Sequence, residues 1–145
     1  MADWIAILAD PIPSPAALEF VGDASAGGTA VFLGATRADK NAAGYELLAL
    51  EYEAYEAMAL EQLQDFAGRV RRKWPILKLV LMHRIGRVAV GEASVLIAVS
   101  AAHRAEAFEA CRFLIDSLKA QAAIWKKQIW CDGSVSWPAS LNPDS

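Results

Sequence analysis

Cysteine and histidine are scarce in this chain, which has two of each among its 145 residues. Cys111 and Cys131 form neither a CxxC pair nor part of a metal-ligand cluster. We therefore expect two free thiols and predict neither a metal site nor a cofactor. Chemistry that depends on a ligated metal or on a redox-active cysteine pair is excluded at this level.

The chain also lacks a basic surplus and long apolar runs. Its net charge of −3 argues against nonspecific binding to nucleic acid, which needs a basic face. Apolar stretches such as SVLIAVSAA are too short to span a bilayer, which takes roughly 20 residues. The first ten residues contain Asp3 and Asp10 but no basic segment, unlike a signal peptide. The predicted compartment is the cytoplasm.

What remains is typical of a compact globular chain, with 55% hydrophobic and 21% charged residues. We predict one domain over residues 1–145. Apolar alternation and helical spacing predict the element order βαββαβββαββ. This order indicates a mixed α/β or α+β fold, with one sheet layer and helices packed on it. In the strand that follows Tyr45, Leu48, Leu50 and Tyr52 are expected on one face.

The longest predicted helix begins near Ser100 or Ala101 and ends at about Ala122. Its apolar stripe is predicted to contain Phe108, Cys111, Ile115, Leu118 and Ala122. Lys119 falls at the border of this stripe, where a lysine either extends to water or is partly buried. The position of Cys111 within the stripe favours a core role over a nucleophilic one.

Cations are placed in unexpectedly apolar surroundings near the end of the sequence. The segment SLKAQAAIWKKQIW, residues 117–130, contains Lys119, Lys126 and Lys127. Lys126 and Lys127 are adjacent on a predicted strand, so only one of them can line a given pocket. Further cations follow a strand at Arg37 and begin the long helix at His103 and Arg104. These side chains are either separate solvated charges or parts of one anion-binding site.

Several segments together resemble the catalytic (large) subunit family of molybdopterin synthase. They are GATR (34–37), LEYEAY, KWP (73–75), HRIGRVAVGE (83–92), SAAHRAEAFEACRFLIDSLK (100–119) and IWKK (124–127). The resemblance extends over nearly the whole chain from about residue 30. Its most specific part is the helix with HR at its start and LK at its end, followed by WK.

The resemblance implies a fold, an activity and partners. The fold is an α/β hammerhead with an added antiparallel β subdomain. The activity is sulfur transfer in molybdenum cofactor biosynthesis, converting cyclic pyranopterin monophosphate to molybdopterin. The sulfur arrives as the C-terminal Gly-Gly thiocarboxylate of a small ubiquitin-like subunit. The assembly is a homodimer of large subunits within a heterotetramer.

The resemblance also implies roles for individual residues. Lys119 would be the principal catalytic residue, as a proton donor or as a stabiliser of negative charge, with Lys126 as its partner. Substrate binding would fall to Thr36, Arg37, His103, Arg104, Lys127 and Gln128. The chain departs from the family at Ala123, where proline is common, and at Gln128, where an acidic residue is common. Its last residues, LNPDS, lack the basic residue that the family can add to a neighbouring pocket.

The spacing of two of these cations predicts a shared site. Arg104 and Lys119 are 15 residues apart on one helix, which corresponds to ~22 Å at 1.5 Å per residue. One small pterin cannot easily contact both. We therefore expect His103 and Arg104 to serve the site of the neighbouring subunit.

Two other classes of function remain compatible with the residues. One is a noncatalytic dimeric α/β module that binds a phosphorylated ligand or an acidic protein tail. It should tolerate Lys119→Arg, whereas a catalytic lysine should not. The other is a structural subunit whose cations are all solvated.

Overall fold

The computed structural model describes residues 3–138 and shows a mixed α/β fold. Within this range there are three helices and eight strands, and the strands form two separate sheets. In chain order the elements are β1 (Asp3–Leu8), α1 (Ser14–Val21), β2 (Gly28–Ala35), β3 (Leu47–Ala54), α2 (Glu56–Lys73), β4 (Ile76–Arg84), β5 (Gly86–Ala89), β6 (Ala93–Ala101), α3 (Arg104–Gln121), β7 (Ile124–Trp130) and β8 (Val135–Ser136). None of these helices is long and apolar enough to cross a membrane.

The first sheet carries the main core. Its strand order is β1-β4-β6-β2, with β1 parallel to β4 and β6 antiparallel to both of its neighbours. Strand β6 is buried from Ser94 to Ala101, as expected for an interior strand covered on both faces. Side chains from α2 and α3 pack on one face, while Ala17 and Val21 of α1 pack on the other. Among the described residues 3–138, no strand pairs with the outer edge of β2.

The second sheet is antiparallel, with the order β5-β3-β7-β8. It has a small core of its own, formed by Leu47, Leu50, Tyr52, Val88 and Trp130. The predicted mixed α/β class is confirmed, and the separate antiparallel sheet agrees with the added antiparallel β subdomain that the resemblance implies. The single sheet layer expected from the element order is wrong. Strand β3 cannot join the first sheet because its two edges are hydrogen-bonded to β5 and β7.

Three local predictions differ from the structure. Helix α3 begins at Arg104, not near Ser100, because β6 continues to Ala101 and pairs there with Gly28. Leu48 is half exposed because a register shift between Leu47 and Ala49 turns it away from the face of Leu50. Phe108 does not join the apolar stripe of α3 and is 64% exposed.

Both cysteines are free thiols, as predicted. Cys111 is buried where α3 packs on the first sheet, and burial raises the pKa of its thiol to about 11. Cys131 is exposed in the turn after β7. The core role predicted for Cys111 is confirmed.

Two glycines allow the start of α3 to approach β2 closely. A Cβ atom at Gly27 would lie 2.3 Å from the carbonyl oxygen of Ala102, and one at Gly28 would lie 3.2 Å from the Cα of Arg104. The first contact is with backbone and cannot be relieved by a side-chain rotation. These glycines therefore fix the N-terminal end of α3, with His103 and Arg104, beside the first residues of β2.

We predict that Gly27→Ala destabilises the protein by about 1–3 kcal/mol, because the new methyl group overlaps the Ala102 carbonyl. Urea unfolding measures the change. The matched control is Gly22→Ala, where the nearest atom is the Glu19 carbonyl oxygen at 3.4 Å and φ is −63°. That control should be neutral or slightly stabilising. Equal midpoints for the two variants would contradict the close approach.

Candidate active site

A pocket lies where the two sheets meet, beside the C-terminal end of α3. It encloses a volume of about 370 Å³, within the range of small-molecule sites. One part of its lining is apolar and the other is cationic or polar. The apolar part contains Phe32, Leu33, Leu47, Leu50 and Val95, and the polar part contains Arg37, Asp39, Tyr52, Ser94, Lys119, Lys126 and Gln128.

Four of the predicted site residues come together here. Lys119 reaches the pocket from the last turn of α3, and Arg37 lies just beyond the end of β2. Lys126 and Gln128 are alternate residues of β7, so they share a face of the second sheet. Opposite them in β3 stand Tyr52 and Leu50, which line the same pocket. The strand period thus explains why the lining repeats every second residue.

Lys127 lies on the other face of this sheet. Its ammonium nitrogen is 3.1 Å from a carboxylate oxygen of Glu51 and 3.6 Å from one of Glu53. These two carboxylates raise the pKa of Lys127. The prediction that the two adjacent lysines point apart is confirmed, and Lys127 is the one paired away from the pocket.

Three further predicted residues also stand outside the pocket lining. Thr36 is buried, and its hydroxyl donates to the carbonyl of Val88 at 3.2 Å, which ties β2 to β5. His103 occupies the N-cap position of α3 without a side-chain capping bond, and Arg104 is the first helical residue. Both are exposed, one helix length from Lys119.

The cations in the pocket affect one another electrostatically. Burial, followed by the nearby positive charges of Lys119 and Arg37, lowers the pKa of Lys126 to about 8. An ordinary lysine titrates near 10.4 and is fully charged at neutral pH. Lys126 can therefore exchange a proton close to physiological pH, as a general acid or base requires.

His83 and Tyr52 form an uncharged wall near these lysines, and sequence reasoning assigned neither of them to the site. The His83 ring is buried, and its Nδ1 donates to the carbonyl of Arg84 at 2.7 Å. Burial, with smaller effects from Lys119 and Lys126, lowers its pKa to about 4, so it is neutral at pH 7. The sequence does contain a signal for its burial, because His83 continues the alternation of the core residues Leu79 and Leu81 along β4.

Comparison with known proteins identifies the family. The family model described as "MoaE protein" matches residues 7–121. The chain belongs to the MoaE family. Among curated relatives, the molybdopterin synthase catalytic subunit of Nostoc sp. is 46% identical over 116 residues, covering 79% of this chain and 69% of that protein. The Homo sapiens protein of the same name is 44% identical over 109 residues, covering 75% and 57%.

Solved structures of MoaE proteins share the fold. Molybdopterin synthase from Staphylococcus aureus superposes with a TM-score of 0.84 at 34% identity, covering 92% of this chain and 96% of that one. A MoaE protein from Burkholderia ambifaria gives 0.77 at 32%, covering 94% and 88%. A Helicobacter pylori structure, at 21% identity, is a complex of subunits 1 and 2 of molybdopterin-converting factor and supports the fold alone.

The family predicted from the sequence is thus confirmed, and with it the class of protein: an enzyme subunit of molybdenum cofactor biosynthesis. The chain spans a smaller part of other relatives, such as 58% of the Bos taurus protein and 36% of the Drosophila erecta protein.

We predict that Lys126→Met raises the urea midpoint at pH 7, because it removes a cation held among other cations. The difference in urea midpoint between this variant and wild type should become smaller between about pH 8 and 10.5. In that window the unfolded chain binds more protons at this residue than the folded one, so wild-type stability rises with pH.

The matched control is Lys127→Met on the opposite face of the same strand. It removes an ammonium group paired with Glu51 and Glu53, so it should lower the midpoint or leave it unchanged. A lower midpoint for Lys126→Met at pH 7 than for wild type would contradict the electrostatic account of the pocket.

Proposed function

We propose that this pocket converts cyclic pyranopterin monophosphate to molybdopterin by inserting two dithiolene sulfurs. The observation that carries the proposal is the convergence of Arg37, Lys119 and Lys126 on one pocket whose other side is apolar. A flat pterin suits the apolar side. A phosphate and a thiocarboxylate are both anions, and cations in a half-buried site bind such groups strongly.

Within the pocket, Lys119 would act on the reacting atoms as a proton donor or as a stabiliser of developing negative charge. Lys126, with a pKa of about 8, would be its proton-exchanging partner. Arg37 would bind the phosphate and Gln128 would border the substrate. Lys127 and Thr36 are given no contact with the substrate, because each is engaged elsewhere.

The sulfur would come from a small ubiquitin-like subunit through the thiocarboxylate of its C-terminal Gly-Gly tail. Among the described residues that line the pocket there is no cysteine to carry sulfur, since Cys111 lies in the core and Cys131 in an exposed turn. Two free thiols also suit a reducing compartment, and we propose that the protein acts in the cytoplasm.

We further propose that two copies of this chain form the centre of a heterotetramer, with a shared active site. Strand β2 is an edge strand of the sheet that residues 3–138 form, and it exposes Val31, Phe32 and Leu33. Such an edge is suited to pairing with another strand. Phe108 is also exposed, on α3, the helix that packs beside β2.

An antiparallel β2–β2 contact about a twofold axis would bring the start of one strand beside the end of the other. The start of β2 lies against Arg104, and its end lies beside Arg37. Strand β2 spans ~24 Å at ~3.4 Å per residue, close to the ~22 Å from Arg104 to Lys119. His103 and Arg104 of one copy would thereby reach the pocket of the other.

The first test is reconstitution of the chain with a thiocarboxylated partner and cyclic pyranopterin monophosphate, assayed for molybdopterin. Wild type should form product, Lys119→Ala should form none, and Lys127→Ala should retain activity. Lys119→Arg should also fail, because a guanidinium keeps the charge but cannot exchange a proton. No product from wild type despite a stable complex would favour the noncatalytic binding module.

The second test mixes two inactive chains, Arg104→Ala and Lys119→Ala, by co-expression. If sites are shared, each mixed dimer contains one site with both residues intact. Random pairing then restores about a quarter of the wild-type sites. Mixed dimers that are verified by mass and yet show no activity would contradict the shared site.

A further inference from the structure

Three uncharged polar side chains lie at or beside the cationic pocket. Tyr52 from β3 and Ser94 from β6 line it, and His83 from β4 lies near Lys119 and Lys126. All three are buried, with exposures of 7%, 4% and 5%. Buried polar groups cost free energy unless they are satisfied. The reaction proposed above assigns no role to them, so their place beside the lysines calls for another explanation.

Tyr52 is the direct cross-strand partner of Lys126. The two residues face each other in the β3–β7 register and line the same pocket. Directly opposed residues in an antiparallel pair have Cβ atoms about 4.5–5.5 Å apart, so the phenol ring stands alongside the lysine stem. Burial is the largest cause of the lowered pKa of Lys126, ahead of the charges of Lys119 and Arg37. Tyr52 is thus placed to supply that burial.

The His83 ring packs against the ring of Tyr52. The two rings meet edge to face, with centroids 4.9 Å apart and an interplanar angle of 68°, a favoured aromatic geometry. The imidazole is itself fixed through Nδ1 by the Arg84 carbonyl. Burial raises the pKa of the Tyr52 phenol, and the neighbouring Ser94 side chain opposes that rise. The Ser94 hydroxyl donates to the carbonyl oxygen of Gly34 at 3.5 Å.

Burial is the main reason why His83 is neutral, and the positive charges of Lys119 and Lys126 lower its pKa in the same direction. Lys119 and Lys126 lie near His83, Arg37 lies near Lys126, and Asp39 lines the same pocket. Arg84, on the same strand as His83, directs its guanidinium to Glu92 at 3.5 Å. A fourth positive charge, at His83, would add repulsion, whereas a neutral ring only excludes water.

We propose that Tyr52 and His83 are positioning residues for Lys126: the phenol ring, braced by the imidazole, excludes water from one side of the lysine amine and directs it into the pocket. The inference rests on the proposed function for its effect on the reaction. It assigns the effect to the tyrosine ring and not to its hydroxyl. Phenylalanine should therefore replace Tyr52, whereas leucine should not.

The experiment follows Lys126 by ¹³C NMR in the full chain with labelled lysine, assigned with Lys126→Arg. We expect Tyr52→Leu to raise the titration midpoint of Lys126 by about one pH unit, because water then reaches the amine. Tyr52→Phe should keep the wild-type midpoint. In the reconstituted complex, we expect the limb of the pH profile of kcat that reports the ionisation of Lys126 to move upward by the same amount. KM should change less than about twofold.

The matched control is Tyr55→Leu, in which a 67% exposed tyrosine that packs on Trp125 outside the pocket is changed in the same way. Should Tyr52→Leu fail to fold, His83→Asn takes its place, because it removes the bracing ring and leaves Tyr52 present. That variant should also raise the midpoint, and His83→Phe should restore it.

The inference would be overturned if Lys126 had the same titration midpoint in Tyr52→Leu as in Tyr55→Leu. The same holds for His83→Asn if that variant is used. A Tyr52→Phe variant that titrates like Tyr52→Leu would also overturn the inference. The titration needs neither substrate nor partner. A wild-type chain that makes no product would therefore count against the proposed function and leave the positioning result to be read independently.

Discussion

The repulsion among Arg37, Lys119 and Lys126 is the constraint that the surrounding structure has to oppose. Like charges at short range in a partly dry pocket destabilise one another, and burial adds to the effect. These three side chains nevertheless line one pocket because they stand on elements that are fixed elsewhere: α3 by the main core, β7 by β3, and the end of β2 by β6. Stability from two apolar cores offsets an unfavourable arrangement at the junction between them.

The two sheets divide this task. The first sheet, with α2 and α3 on one face, forms a large apolar cluster and sets where α3 ends. The second sheet is small and contributes alternate residues of β3 and β7 to the pocket wall. A lysine on one face of β7 enters the pocket, and the lysine beside it pairs with two carboxylates on the other face. One residue of sequence thus separates a candidate catalytic group from a solvated ion pair.

Much of this could be predicted from sequence because period and local chemistry decide it. Strand alternation separated Lys126 from Lys127, and the apolar setting of Cys111 indicated its core position. The predictions that were wrong concern features that depend on pairing between strands distant in sequence. The extension of β6 to Ala101, the register shift beside Leu48 and the split into two sheets all arise from strand neighbours that no local window contains. His83 was overlooked because its partners, Tyr52 and the two lysines, lie on other elements.

The environment of Cys111 has a practical consequence. Its thiol is buried between α3 and the first sheet and has a pKa of about 11, so it is scarcely ionised at neutral pH. Cys131 lies in an exposed turn. Alkylation requires the thiolate. The native molecule therefore offers one sulfur to an alkylating reagent, and the second becomes reactive only when α3 separates from the sheet. The chain carries its own probe for the opening of the helix on which Lys119 stands.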